Sequence, residues 1–191
     1  MCKMEDKRGA VSVKIAEDNK LVTKRLDSLS ARVVEYMITN RRTLSAAESC
    51  TGGLISERLT SVAGASAVYK GGVCSYTEEI KQSVLGVSRE TLERYTVYSA
   101  ETAAEMCRGV RKLMDTDLAV SVTGIAGPSG GTEDKPVGTV YVCAGNGKKE
   151  RVKELRLYNE YEEMDRELIR RASAAEALEL LLELMTDESE D

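Results

Sequence analysis

Ala47-Glu48-Ser49-Cys50-Thr51-Gly52-Gly53 places a serine, a cysteine and a threonine beside two glycines. The segment follows a short apolar run at 43–47 and precedes a helical pattern. A strand that ends here and turns into a helix gathers free backbone N–H groups. Such groups bind anions, either a phosphate or the oxyanion of a tetrahedral intermediate. Ser49 could then be a nucleophile or a phosphate ligand, and Cys50 is a rival nucleophile at the same corner. Ser49 or Thr51 could also do no more than cap the helix, since Ser and Thr are common caps. The segment fits neither the P-loop pattern nor the G-x-S-x-G nucleophile elbow.

The chain contains no histidine. That removes the Ser-His-Asp triad, the Cys-His dyad and histidine metal sites. Acid-base chemistry near neutral pH must come from Lys, Tyr, Cys or a carboxylate of shifted pKa. A desolvated lysine is the obvious base for a serine. Lys81, in Thr77-Glu-Glu-Ile-Lys81, is one candidate, and Lys70, in Tyr69-Lys-Gly-Gly72, is a rival. Read alone, each is an ordinary solvated lysine.

A second unusual segment runs from Gly124 to Gly138, GIAGPSGGTEDKPVG, with five glycines and both prolines of the chain. It is stiff at the prolines and permissive at the glycines. It is too long for a simple hairpin and suits an anion cradle or a substrate lid. The alternative is a long irregular connection.

These segments need elements to hold them. The chain has 191 residues, 42% hydrophobic and 31% charged, as expected of one globular domain. Its net charge of −5 argues against broad binding to nucleic acid or anionic membranes. No apolar run approaches the roughly 20 residues of a membrane span, and the N-terminus lacks a signal-peptide pattern, so a cytoplasmic location is expected. The five cysteines are scattered and include no C-x-x-C pair, which argues against a disulfide framework or a zinc site. No metal is expected.

Residues 1–18 show little periodicity and read as a flexible extension. From 19 to 42, Val22, Leu26, Leu29, Val33 and Met37 form the apolar face of a helix. Strands are expected at 43–47, 67–76, 117–125, 139–144 and 150–158. Helices are expected from Gly52 to about Val62, from Thr77 to Gly86, from Ser99 to Met114 and from about Glu162 to Met185. Residues 19–186 therefore form one α/β domain, and 187–191 form an acidic tail. Alternating strands and helices predict a three-layer α/β/α sandwich on a mixed, largely parallel sheet. Ligands of such sheets bind outside the carboxyl ends of the strands, and both unusual segments follow a predicted strand.

Taken together, AESCTGG at 47–53, KGGVCSYTEEIKQSVLGV at 70–87 and VTGIAGPSGGTEDKPVGTVYV at 122–142 resemble the C-terminal domain of the CinA proteins. That domain also occurs as a stand-alone nicotinamide mononucleotide deamidase. The resemblance covers about residues 25–185 and includes VYSAETAAEMCRGV and the closing DRELIRRASAAEALELLLELM. It implies hydrolysis of a pyridine mononucleotide carboxamide without a cofactor, a three-layer fold and a homodimer. By motif, it implies Ser49 as nucleophile, with Tyr76 and Lys81 of SYTEEIK as its helpers. It implies substrate contacts from Glu48, Thr51, Gly52, Gly53, Thr123, Gly124, Gly127 and Arg166. The missing histidine agrees with a serine-lysine mechanism. Tyr98, Ser129 and Cys74 depart from the pattern without removing a catalytic group. The alternatives are a serine-lysine hydrolase of another small amide and a non-catalytic nucleotide-binding module.

Overall fold

The structure, a computed structural model, describes residues 2–187, with side chains described from residue 11 onward. Five strands form one sheet: β1 (Leu44–Glu48), β2 (Tyr69–Cys74), β3 (Leu118–Gly124), β4 (Thr139–Gly145) and β5 (Glu150–Arg156). Their order is β2-β1-β3-β4-β5. β1 pairs parallel with β2 and β3, whereas β3–β4 and β4–β5 are antiparallel. The sheet is mixed as expected, with its parallel half at one side. Every residue of β1 and β3 is buried, as a strand covered on both faces requires.

Six helices complete the chain: α1 (Cys2–Thr39), α2 (Leu54–Thr60), α3 (Glu78–Ser83), α4 (Arg89–Tyr95), α5 (Ala100–Met114) and α6 (Arg166–Asp187). α5 and α4 cover one face of the sheet through Met106, Val110 and Leu92. α6 covers the other face. α1 lies outside α6, packing on it and on α2. This explains a pattern that the sequence does not show as a single stripe. α6 buries Leu168, Ile169, Ala174, Leu178, Leu181 and Leu184 around its circumference, because sheet and α1 enclose it from opposite sides. Its buried Glu176 is held by Arg25 of α1 and Lys153 of β5, at 2.7 and 2.6 Å.

Local chemistry accounts for the boundaries. Thr77, Ser88 and Ser99 cap α3, α4 and α5 by accepting from the amides of Ile80, Thr91 and Thr102. Gly86, at φ 69°, turns the chain after α3. Gly109 in α5 lets the helix approach the chain at Leu85.

Two boundaries differ from the sequence reading. Within the flexible extension expected at 1–18, residues 2–18 form the first part of α1, which runs without a break from Cys2, and residue 1 lies outside the described residues. This stretch contains no proline and one glycine, so a helix nucleated by the packed half can propagate through it. No side chain from 11 to 18 is buried, which is why no apolar period marks it. α4 was not anticipated, because the seven residues RETLERY bury only Thr91 and Leu92. Of the acidic tail, Asp187 ends α6 and residues 188–191 lie outside the described residues. No described helix is long and apolar enough to cross a membrane.

Candidate active site

β1, β2 and β3 run parallel, so their carboxyl ends share one edge of the sheet. Ser49 follows β1, Ser75 and Tyr76 follow β2, and Gly124 ends β3. The chain leaves β1 toward β2 on one side and later returns to β3 on the other. That makes the end of β1 the point where the winding reverses, the usual ligand site of such sheets. Two further bonds hold the edge together: Ser49 N–H donates to Val122 O at 3.0 Å, and Ser75 N–H to Glu48 O at 2.8 Å.

The capping alternative for Ser49 is excluded by its neighbour. The Glu48 carboxylate turns under the corner and accepts the amides of Gly53, Ile55 and Ser56 at 2.9–3.0 Å. It also accepts the Ser56 hydroxyl at 2.7 Å. One buried carboxylate thus satisfies the start of α2 and places negative charge at the positive end of the helix. Ser49 is left uncommitted by the helix. Its Oγ lies 2.9 Å from Lys81 Nζ.

Lys81 is held in place by a second bond, from Nζ to Ser75 O at 2.6 Å. The residue is 1% exposed, the largest side chain among the fully buried ones. Burial disfavours its ammonium form and lowers its pKa from 10.5 to about 8, against the opposing pull of Cys50 and Glu78. Cys50, also at the corner, behaves oppositely: burial pushes its thiol up to about 12. A thiol so raised is a poor source of thiolate at neutral pH. Lys70, the rival base, donates instead to Asp115 O at the far end of β2.

A cleft of about 300 Å³ opens over the pair. Ser49, Lys81, Tyr76, Gly124, Gly127 and Arg166 all line it. Arg166, the first residue of α6, donates to Gly127 O at 2.5 Å and to the Tyr76 hydroxyl at 2.7 Å. Tyr76 is 62% exposed and bonded to Arg166, while Lys81 reaches Ser49 directly. No relay through Tyr76 is needed between base and nucleophile.

Several expected substrate contacts take other places. Glu48 is consumed by α2, as described. Thr51, Gly52 and Gly53 lie in the turn beneath the cleft and do not line it. The Gly53 amide is occupied by Glu48, and the Gly52 amide by Ser49 O at 3.1 Å. The Cys50 amide faces its own thiol, and Cys50, unlike the two glycines, lines the cleft. Any oxyanion site therefore moves toward Ser49. Thr123 is fully buried, and its hydroxyl donates to Val97 O at 2.7 Å. It positions the cleft wall and does not contact the cleft.

The sequence reading missed Arg170, which sends Nε and Nη2 to Thr51 O at 3.2 and 2.7 Å. Its signal was its position, one helical turn after Arg166. It also missed the wall formed by Val97 and Tyr98, whose placement depends on a loop with no sequence pattern. Among the described residues there is no group of metal-ligating side chains.

The fold and cleft define a class: α/β/α domains with a buried serine-lysine pair at the carboxyl edge of the sheet. The family model for the CinA C-terminal domain matches residues 26–185, and the chain belongs to that family. It is 44% identical over 170 residues to a CinA-like protein of Syntrophomonas wolfei, covering 89% of this chain and 40% of that protein. The competence/damage inducible protein CihA of Agrobacterium tumefaciens superposes with a TM-score of 0.80 at 38% identity, over 84% of this chain and 96% of that one. A competence-damaged protein (CinA) superfamily protein of Escherichia coli gives 0.77 at 30% identity, over 83% and 90%. The chain spans 32–40% of the length of curated relatives it matches in sequence.

Proposed function

We propose that this domain hydrolyses the carboxamide of nicotinamide mononucleotide, giving nicotinate mononucleotide and ammonia. The observation that carries the reading is the 2.9 Å contact between Ser49 Oγ and a buried Lys81 whose pKa is lowered to about 8. At pH 7 about a tenth of such lysines are neutral, and only the neutral amine can accept the serine proton.

Ser49 Oγ attacks the amide carbon while Lys81 Nζ takes its proton. The carbonyl oxygen becomes an oxyanion, for which the backbone amide of Cys50, at the cleft beside Ser49, is the proposed donor. The Lys81 ammonium then protonates the leaving nitrogen, the C–N bond breaks, and ammonia departs from an acyl-Ser49 ester. Lys81, neutral again, takes a proton from water as its oxygen attacks the ester carbon. Breaking the ester C–O bond returns the proton to Ser49 Oγ and releases the carboxylic acid, which ionises to the carboxylate as its proton passes to ammonia or solvent. Ser75 O holds Nζ on the serine throughout. Arg166 is the cation at the cleft for the substrate phosphate, and Gly124 and Gly127 line the same cleft. No metal or cofactor is required, and a homodimer is the proposed assembly.

The test is ammonia release from nicotinamide mononucleotide by the purified protein without added metal, beside Ser49→Ala. Release by the wild type and silence in a folded Ser49→Ala variant is expected. Mononucleotide binding by calorimetry with no release by the wild type would favour a non-catalytic module.

A further inference from the structure

The glycine-rich loop and the segment 95–98 are tied together by one side chain. Lys135, near the end of the loop, sends Nζ to Tyr98 O at 2.7 Å, Thr96 Oγ1 at 3.2 Å and Tyr95 O at 3.5 Å. An ammonium has three protons, and these three oxygens take them. The charge also sits at the carboxyl end of α4, where backbone carbonyls point outward. The stem of Lys135 is anchored in its own turn. Its amide donates to Thr132 Oγ1 at 3.0 Å, and its carbonyl accepts from Thr132 N at 2.9 Å.

The segment it grips is strained. Thr96 has φ 70°, and a β-branched residue rarely adopts a positive φ unless its surroundings impose it. Besides Lys135, the hydroxyls of Ser99 and Thr102 hold Thr96 O at 3.2 and 2.8 Å, and Thr123 holds Val97 O. The two residues that follow Thr96, Val97 and Tyr98, line the cleft, as does the start of the glycine loop. Val137, two residues after Lys135, packs where any side chain on Gly127 would clash, 2.6 Å from the Cβ position.

We propose that Lys135 is a positioning residue that sets the width of the substrate cleft by clamping the glycine loop to the strained Thr96–Tyr98 wall. It acts through that wall, and its ammonium bonds to neither Ser49 nor Lys81. Removing it should therefore loosen substrate binding and leave the chemistry intact. This rests on the amidohydrolase reading for its kinetic consequence, though not for the clamp.

The experiment compares wild type with Lys135→Met, which keeps the aliphatic stem and removes the cation. KM for nicotinamide mononucleotide is expected to rise about tenfold, with kcat within about twofold and the acidic limb of the pH profile unmoved. Amide hydrogen exchange is read in the same variant over 95–99 and 124–131, and should accelerate at least about tenfold in both segments together. If Lys135→Met does not fold, Lys135→Gln, which keeps a donor, should show a smaller change in the same directions. An unchanged KM with unchanged exchange overturns the proposal. So does a fall in kcat that follows loss of thermal stability. Accelerated exchange in a protein whose wild type releases no ammonia keeps the clamp and removes the mononucleotide reading.

Discussion

The protonation of Lys81 links activity and stability in adjacent pH windows, activity rising below its pKa and stability above it, and both can be read in one pH series. Burial lowers its pKa from 10.5 to about 8. If the neutral amine is the base, log kcat/KM rises with unit slope below about pH 8 and levels off above it. Activity at pH 6 is then about a hundredth of the plateau, and at pH 7 about a tenth. The assay is initial ammonia release at low substrate concentration from pH 5.5 to 9.5. Stability follows from the same shift. Between about pH 8 and 10.5 the unfolded chain keeps the Lys81 proton that the folded chain has lost. The unfolded state binds more protons there, so stability rises with pH through that window. The full shift corresponds to about 3–4 kcal/mol at 1.36 kcal/mol per unit. Lys81→Met removes this cost at neutral pH but leaves Ser75 O and Ser49 Oγ without their donor, at about 1 kcal/mol each. The expected net result is an inactive protein that is about 1–2 kcal/mol more stable at pH 7 by urea unfolding. Its advantage should shrink as pH rises through 10. A profile flat from pH 6 to 9, or a Lys81→Met variant less stable than wild type at every pH, would refute the reasoning.

Cys50→Ala should retain most activity, because the thiol is raised to about 12 and Ser49 carries the contact to Lys81. An inactive, folded Cys50→Ala beside an active Ser49→Ala would move the nucleophile to the thiol. Glu48→Ala strips four hydrogen bonds from the start of α2 and should cost about 2–4 kcal/mol in urea unfolding, with activity lost through displacement of Ser49. Gly109→Ala gains about 1 kcal/mol of helix propensity, yet its Cβ would lie 2.0 Å from Leu85 O. Backbone must move, so a net loss of more than about 2 kcal/mol is expected. A stabilised Gly109→Ala would show that α5 can shift freely against the chain at Leu85.

Strands β1 and β3 were legible because continuous burial leaves an uninterrupted apolar run. α5 was legible because one apolar face and a capping serine mark it. Ser49 and Lys81 were legible as motif positions once the resemblance was drawn, and the absence of histidine restricted the chemistry to groups of that kind. Composition alone gave Lys81 no distinction from Lys70. Both are lysines near the same strand, and burial belongs to the fold and not to the residue. Only the packed structure buries one at 1% exposure beside Ser49 and leaves the other on the surface at Asp115. The same holds for Glu48, whose motif position suggested a ligand contact. The turn that brings it beneath Gly53, Ile55 and Ser56 makes it a cap instead. That α6 is enclosed on both sides was not legible, because α1, the helix that covers its second face, lies about 150 residues earlier in the chain. Residue types and short periods thus determined the elements and the permitted chemistry. Which donor meets which acceptor, and which lysine loses water, required contacts between residues far apart in sequence, and those exist only after the chain has folded.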